Sequence, residues 1–266
     1  PMAEAIGSVN TLVRRADGKL YGYNTDAAGF CFMAQRAGIG FAGKKTLVLG
    51  SGGASATAQY VLRQMGAREV VVISRHGTNS YENLDRHADT EIAVNTTPVG
   101  MYPNTGVSPI DLSRFPKLEA ALDVVYNPAR TKFLLEAERL GLKRANGLLM
   151  LVAQAKKSCE DFLGEPIADE RIGAITKALT AQMQNVILIG MPGSGKTTTL
   201  RFILDIYQAA FPSNEILLAA PTGRASRRMS EQTGKYASTL HSALGLVTEE
   251  DSPLNDIPLF SVERPE

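Results

Sequence analysis

The sequence predicts an α/β fold: a Rossmann-like, doubly wound parallel sheet, followed by an incomplete P-loop (phosphate-binding-loop) βαβ module. Apolar strand-like runs alternate with helical patterns between residues 45 and 164. A glycine-rich turn joins the first of these strands to the helix after it, and a second strand–loop–helix pattern begins at residue 185. Because parallel strands need a crossover, usually a helix, this alternation predicts a sheet covered by helices on both faces.

Each element of the main sheet is predicted from its local pattern. Residues 5–24 hold two β-rich runs around Ala-Asp-Gly-Lys, a hairpin signal, and a helix is predicted over 26–38. The predicted strands are 45–50, 69–74, 91–98 and 121–127. The predicted helices are 54–66, a weak short one over 81–88, 131–142 and 148–164.

A polar, partly helical linker over 164–182 precedes the second pattern. There we predict a strand over 185–190, a helix over 197–211 and a strand over 215–220. Residues 251–266 carry Pro and acidic residues without periodicity, which predicts a loose tail. Two strands with their helices are too few to bury both faces of a sheet, so we expect this module to be incomplete.

Length and composition limit the possible classes of protein. A chain of 266 residues, 44% of them hydrophobic, allows one large domain or two modest ones. The formal net charge of +1 argues against a nucleic-acid or membrane partner, and no apolar run reaches the ~18 residues of a membrane span. Cys31 and Cys159 lie far apart in the sequence and lack metal-ligand spacing, which argues against a disulfide framework and favours a reducing, cytoplasmic setting. The opening residues do not form a signal-peptide pattern, and we expect further residues upstream of Pro1.

The glycine-rich turn after the first strand predicts a dinucleotide site. Glycines at this position let the backbone approach a pyrophosphate, and the helix N-terminus supplies unpaired N–H groups. The alternative is an ordinary strand–helix turn. The predicted cofactor-binding residues of this turn are Gly50, Ser51, Gly52, Gly53 and Ala54.

The residues after the second strand predict NADP rather than NAD. Enzymes that prefer NAD place an acidic residue there for the ribose 2′-hydroxyl, whereas this chain has Ser74 and Arg75. Both side chains can bind a 2′-phosphate through charge-assisted hydrogen bonds. The alternatives are a solvated surface arginine at Arg75 and a turn role for His76.

Residues 1–172 resemble the C-terminal two thirds of shikimate dehydrogenases. The matching motifs, in the order and spacing of that family, are AIGSVNTL, GYNTDAAGF, LGSGGAS, ISR, NTTPVGM, DVVYNP and NGLLMLVAQA. The resemblance implies reduction of 3-dehydroshikimate to shikimate with NADPH, a step in aromatic amino acid biosynthesis.

The resemblance assigns roles residue by residue. It implies that Asp26 is catalytic and also binds substrate, and that Asn10 and Gln154 bind substrate, together with Tyr126. The positions it implies at the cofactor are Asn95, Thr96 and Thr97 beside the ribose, and Met101, Gly147 and Met150 near the nicotinamide. The alternatives left open are turn chemistry for Asn10 and Asn24, and an N-cap role for Asp26 on a helix over 27–37.

The chain departs from the family pattern in two ways. The catalytic lysine of the family and its carboxylate-binding serine pair precede the first residue of this chain. Ala27 also stands where the family commonly has Gly. We therefore expect binding of NADP(H) with very low turnover, because loss of a positioned proton donor typically costs ~10²–10⁴-fold. The expected domains are a substrate-domain remnant over 1–26, the NADP-binding domain over 27–172, a partial P-loop module over 173–250 and the tail over 251–266.

A second nucleotide site is predicted where the sequence fits the complete P-loop pattern. Backbone N–H groups of such a loop hold ATP phosphates, Lys196 reaches the β- and γ-phosphate oxygens, and Thr197 binds Mg²⁺. The predicted ATP-binding residues are Gly190, Gly193, Ser194, Gly195, Lys196 and Thr197.

The surroundings of this loop resemble two different families. Residues 183–199 resemble the start of shikimate kinases, and about 193–248 resemble superfamily 1 helicases, close to the exodeoxyribonuclease V alpha subunit. The later acidic residue that both need for Mg²⁺ has only a poor match, in LGLVTEED (244–251). We therefore expect ATP binding at most. Three arginines, Arg224, Arg227 and Arg228, lie either on a solvated helix face or against single-stranded DNA phosphates.

Overall fold

The computed structural model describes residues 2–183, 204–209, 216, 218–220, 222–239 and 242. Two units divide the chain, Pro1–Leu179 and Thr180–Glu266. The elements up to the end of the first unit are, in order, α1 Met2–Ile6, β1 Thr11–Arg14, β2 Leu20–Tyr23, α2 Asp26–Arg36, β3 Lys45–Leu49, α3 Gly53–Gln64, β4 Glu69–Ile73, β5 Ile92–Asn95, β6 Ala120–Asp123, α4 Lys132–Arg139, β7 Lys143–Ala145, α5 Leu148–Leu163 and α6 Glu170–Met183.

A five-stranded parallel sheet forms the centre of the first unit. Its strand order is β4-β3-β5-β6-β7. The order reverses at β3, which pairs with β4 on one side and with β5 on the other. In open α/β sheets of this kind, ligands bind outside the carboxyl ends of the strands at this switch point. The predicted α/β fold with a Rossmann-like parallel sheet is confirmed.

Helices cover both faces of the sheet, and every residue of its strands β3, β5 and β6 is therefore buried. On β3, Val48 packs into a core with residues of α2, α3 and α5, including Phe30 and Leu62. Its neighbour Leu47 points to the opposite face and packs into a core with residues of α4, including Phe133. Alternation along a strand thus supplies two cores, as a doubly wound sheet requires.

Helices α2 and α5 approach each other closely at Gly29. A Cβ atom on Gly29 would lie 2.5 Å from the carbonyl oxygen of Met150 and 3.0 Å from Cβ of Gln154. Real Cβ atoms do not occupy such positions, so glycine permits this contact. The contact carries Gln154 on α5 to the start of α2, near Asp26.

Several elements differ from the sequence predictions. Helix α1 and strand β7 were not predicted, and the strands predicted over 91–98 and 121–127 are too long. The first ends at Asn95 because Asn95 Oδ1 accepts the Thr97 N–H at 3.0 Å. The second ends at Asp123 because Asp123 Oδ1 accepts the Val125 N–H at 3.0 Å. Side chains that bond their own backbone two residues on turn the chain out of a strand.

The antiparallel hairpin β1–β2 is present as predicted, with Val13 opposite Tyr21. Most of the linker predicted over 164–182 belongs to helix α6. This helix also runs without a break through residue 172, where a domain boundary was predicted. Among the described helices, none combines the length and apolarity needed to cross a membrane.

The described part of the second unit contains a parallel strand pair joined by a helix. Residues 204–209 are helical. Strand β8 Leu218–Ala220, helix α7 Gly223–Thr233 and strand β9 Ala237–Thr239 follow. Thr222 caps α7 by accepting the Ala225 N–H at 3.3 Å. Strand β9 was not predicted, while the predicted strand 185–190 and tail 251–266 lie outside the described residues.

Candidate functional site

Gly50 is the first residue after β3, at the switch point of the sheet. Its φ angle is +103°, which L side chains rarely adopt. A Cβ atom there would lie 2.9 Å from Thr97 Cγ2 and 3.0 Å from Thr96 Oγ1. Thr96 itself is anchored by a 2.6 Å hydrogen bond from its hydroxyl to the Leu49 carbonyl oxygen. The turn therefore brings the predicted cofactor residues after β3 and β5 into contact.

Open space lies in front of helix α3. Gly52 is its N-cap, and no side chain caps the helix. A Cβ atom on Gly52 would meet nothing within 4 Å. Ser51, Gly52 and Gly53 are exposed, and Ala54 is half-buried. Uncapped N–H groups facing open space at the carboxyl edge of a sheet fit a pyrophosphate.

A tight loop follows β4 and carries Ser74 and Arg75. The N–H of Ser74 donates to the Asn79 carbonyl oxygen at 3.2 Å, and a Cβ atom on Gly77 would lie 2.6 Å from Ser74 Oγ. Arg75 is exposed, and within the described residues it forms no ion pair. Arg75 is thus available to an anionic ligand. His76 is exposed in the same turn.

A buried polar network joins the ends of β5 and β6. Asn95 Nδ2 donates to Asp123 Oδ1 at 3.0 Å, and Thr131 Oγ1 donates to Asp123 Oδ2 at 2.6 Å. Asn95 Oδ1 accepts the hydroxyl of Thr97 at 2.6 Å. Burial raises the pKa of Asp123 to about 6, although its hydrogen bonds oppose this rise. Asp123 therefore fixes the side chain of Asn95, which in turn orients Thr97, one of the predicted cofactor-binding residues.

Three of the four residues implied for substrate binding and catalysis come together around the start of α2. They are Asn10 directly before β1, Asp26 at the start of α2 and Gln154 on α5. Asn10 Oδ1 accepts the Thr25 N–H at 2.9 Å, and Thr25 Oγ1 lies 3.3 Å from Gln154 Oε1. Burial raises the pKa of Asp26, and a hydrogen bond from Asn10 partly opposes this rise. A half-buried carboxyl group that has a raised pKa and is hydrogen-bonded to an amide can exchange a proton with a polar ligand.

The structure decides two of the alternatives left open. Asp26 is the first residue of α2, and Thr25 is the N-cap. Asn24 is buried and has the turn role, because its Oδ1 accepts the Ala27 N–H at 3.2 Å and its Nδ2 donates to the Ser8 carbonyl oxygen. The carboxylate of Asp26 is therefore not used as the helix cap.

Three hydroxyl residues of this cluster were missed from the sequence. Thr11 and Thr25 are almost fully buried, and Ser158 lies 2.9 Å from the hydroxyl of each. Ser158 is four residues after Gln154 on α5, so helical spacing was a signal that both share one face. Thr11 and Thr25 directly follow Asn10 and Asn24, but only the fold brings them to Ser158.

The remaining predicted residues lie around the same edge. Met101 and Tyr126 are exposed, on two loops that are joined by a 3.0 Å hydrogen bond from the Tyr102 N–H to the Asn127 carbonyl oxygen. Gly147 is the N-cap of α5, where a Cβ atom would lie 1.9 Å from the Val124 carbonyl oxygen. Met150 differs from these, because it is buried in the core between α2 and α5.

Comparison with known proteins finds relatives that each cover about two thirds of this chain. The shikimate dehydrogenase (NADP(+)) of Clostridium perfringens strain SM101 is 41% identical over 175 residues, which are 61% of this chain and 64% of that protein. The crystal structure of shikimate dehydrogenase 1 from Peptoclostridium difficile is 38% identical with a TM-score of 0.63, covering 70% of this chain and 71% of that one. The chain belongs to the shikimate dehydrogenase family.

A third match is the Thermus thermophilus shikimate 5-dehydrogenase in complex with NADP(H) and shikimate. It is 34% identical with a TM-score of 0.59, and the match covers 67% of this chain and 70% of that one. The chain spans 64% of the length of the Clostridium perfringens member of the shikimate dehydrogenase family. The family motifs of the first unit thus agree with matches in both sequence and structure.

A family model matches the later part of the chain. The model of an AAA domain matches residues 173–260. All predicted P-loop residues, Gly190, Gly193, Ser194, Gly195, Lys196 and Thr197, lie outside the described residues. Arg224, Arg227 and Arg228 are exposed on α7. This part is distinct from the shikimate dehydrogenase motifs, which end before it.

Proposed function

We propose that the first unit binds NADP(H) and serves the interconversion of 3-dehydroshikimate and shikimate, in aromatic amino acid biosynthesis. The observation that carries this proposal is the cluster of Asn10, Asp26 and Gln154 in the same unit as the glycine turn at the carboxyl edge. Family membership supports it, as does the complex of the Thermus thermophilus relative with NADP(H) and shikimate.

The proposed cofactor site has three parts. The glycine turn and the start of α3 hold the pyrophosphate through backbone N–H groups, and Ser74 and Arg75 bind the 2′-phosphate. The remaining contacts are proposed for Asn95, Thr96 and Thr97 beside the ribose and for Met101, Gly147 and Met150 near the nicotinamide. When bound, NADPH supplies the hydride for the ketone.

The proposed substrate site uses side chains of the first unit to orient a polyhydroxy acid. The amides of Asn10 and Gln154 and the hydroxyl of Tyr126 bind its oxygen atoms. The carboxyl group of Asp26 holds or accepts the proton that the substrate oxygen gains or loses. Burial raises the pKa of Asp26, and a raised pKa suits a carboxyl group that must both hold and release a proton.

The decisive experiment is a fluorescence titration of the chain with NADPH and with NADH. We expect the chain to bind NADPH more tightly than NADH. Arg75→Ala should lower the ratio of the two affinities by about 10- to 100-fold, because a charge-assisted phosphate contact is removed. Arg139→Ala, an exposed arginine on α4, is the matched control and should bind like the unsubstituted chain. Equal affinity for both cofactors in the unsubstituted chain would sink the proposal.

We propose as a second function that residues 190–197 bind ATP with Mg²⁺, Thr197 being the residue that contacts the metal ion. The complete P-loop pattern and the AAA-domain match over 173–260 support it. Lys196→Ala should weaken binding of a fluorescent Mg-ATP analogue at least about 10-fold, because the lysine contacts the β- and γ-phosphates. NADPH affinity should stay unchanged. Equal binding of the analogue by both chains would remove this second function.

We also propose a cytoplasmic setting and the four-part organisation given above, with residues 1–26 as part of a substrate domain. Cys31 and Cys159 are free thiols, which supports a reducing compartment. The first unit also carries all proposed NADP(H) and substrate residues, which supports a separation from the P-loop module.

A further inference from the structure

Three hydroxyl groups connect the two amide side chains of the substrate cluster. Ser158 Oγ lies 2.9 Å from Thr25 Oγ1 and 2.9 Å from Thr11 Oγ1. Thr25 Oγ1 lies 3.3 Å from Gln154 Oε1, and Thr11 Oγ1 lies 3.1 Å from Asn10 Oδ1. These groups form a continuous hydrogen-bonded chain between Asn10 and Gln154, which we call the hydroxyl chain.

A backbone N–H fixes one end of the hydroxyl chain. The Thr25 N–H donates to Asn10 Oδ1 at 2.9 Å, and an N–H group cannot accept a hydrogen bond in return. Asn10 Oδ1 must therefore face Thr25, and the NH₂ group of Asn10 points away from it. That NH₂ group is the donor to Asp26, whose pKa burial raises and this hydrogen bond lowers.

The orientation of Gln154 depends on where the hydroxyl protons go. Thr11 donates to Asn10 Oδ1. Thr25 Oγ1 also lies 3.2 Å from Asn10 Oδ1, but that oxygen already accepts two hydrogen bonds, from the Thr25 N–H and the Thr11 hydroxyl, and has no further lone pair. If Ser158 donates to Thr25, the Thr25 proton is therefore left for Gln154 Oε1, and every hydroxyl proton has an acceptor. Among the described residues, the side-chain hydrogen bond of Gln154 uses its Oε1 atom and not its NH₂ group. In this order of bonds it is left to donate to a ligand.

We propose that Ser158 is a positioning residue, which acts through Thr25 to hold Gln154 with its NH₂ group presented to the substrate. The substrate group at Gln154 is then a hydrogen-bond acceptor, such as a hydroxyl, ketone or carboxylate oxygen. A group that only donates, such as an ammonium, is rejected. The identity of the substrate rests on the proposed function, whereas the hydroxyl chain belongs to the free protein.

The free protein provides the first test. The side-chain NH₂ signals of Gln154, assigned with Gln154→Glu, are compared by ¹⁵N NMR in the full chain and its variants. Ser158→Ala removes the hydroxyl and keeps a strong helix former, and Cys159→Ala changes an exposed neighbour outside the hydroxyl chain. We expect the signals to shift or broaden in Ser158→Ala, to stay unchanged in Cys159→Ala and to be restored in Ser158→Thr. No change in Ser158→Ala, or no restoration in Ser158→Thr, overturns the proposal.

Shikimate provides the second test, by calorimetric titration of the same chains. We expect Ser158→Ala to bind shikimate about 3- to 10-fold more weakly than Cys159→Ala, the effect of losing about one hydrogen bond. If the unsubstituted chain does not bind shikimate, the proposed function fails for this chain, and the NH₂ signals still decide the role of Ser158. If it binds and Ser158→Ala binds equally well, the proposed function stands and the role of Ser158 is overturned.

Discussion

At the scale of single residues, Asp123 links stability to pH. Its carboxyl group is fully buried at the end of β6, and burial raises its pKa to about 6. Between pH 4 and 6 the folded state therefore keeps a proton that the unfolded state has already lost. The contribution of Asp123 to the free energy of unfolding then falls as the pH rises through this range, and it stays low above pH 6.

Asp123→Asn removes this titration and should flatten the pH dependence. From pH 4.5 to pH 7, the unsubstituted chain should lose about 2 kcal/mol of its free energy of unfolding relative to the variant, which has no such titration. Urea unfolding at the two pH values measures it. Asn104→Ala, at an exposed side chain that carries no titratable group, is the control and should give the same difference at both pH values. An identical difference for Asp123→Asn would contradict the assigned pKa.

At the scale of elements, the contact between α2 and α5 holds the substrate cluster together. Gly29 permits the contact, and Gln154 lies on the part of α5 that it brings close. Gly29→Ala should lower the free energy of unfolding by about 1–3 kcal/mol, because a Cβ atom would overlap the Met150 carbonyl oxygen. Thermal or urea unfolding measures this change.

The matched control is the same substitution at another helical glycine. Gly173 lies in α6, and a Cβ atom there would meet nothing within 4 Å. Gly173→Ala should therefore stabilise the chain by about 0.5–1 kcal/mol through helix propensity alone. Opposite signs are expected for the two substitutions. Two stabilising effects would mean that α2 and α5 do not meet closely at Gly29.

At the scale of the whole molecule, the proposed NADP(H) site lies entirely in the first unit. A ligand that binds only the folded state slows hydrogen exchange where it stabilises structure. NADPH should therefore protect peptides that contain residues 50–54, 74–79 and 95–101, and leave peptides over 222–239 unchanged. Hydrogen-exchange mass spectrometry of the full chain measures this. Protection confined to 222–239 would place the cofactor in the second unit.

Much of the fold is predictable from local patterns. The run 45–49 is buried on both faces and reads as a central strand, and the turn at Gly50 needs a positive φ that glycine adopts readily. Strand ends were less predictable, because the turns at Asn95 and Asp123 depend on side chains bonding their own backbone. Strand β7 is short and polar in sequence, so its place at the sheet edge has no local signal.

By itself, the sequence determined the α/β class, the position of the glycine turn and the family, because these depend on local periodicity, backbone freedom and short motifs. Only the tertiary structure decided the strand order, which places β3 between β4 and β5. It alone also placed Ser158 beside Thr11 and Thr25, more than 130 positions earlier in the chain. The physical reason is that such contacts join residues distant in sequence, and they form only when the helices pack against the core. The α2–α5 contact at Gly29 therefore has no counterpart in any local pattern.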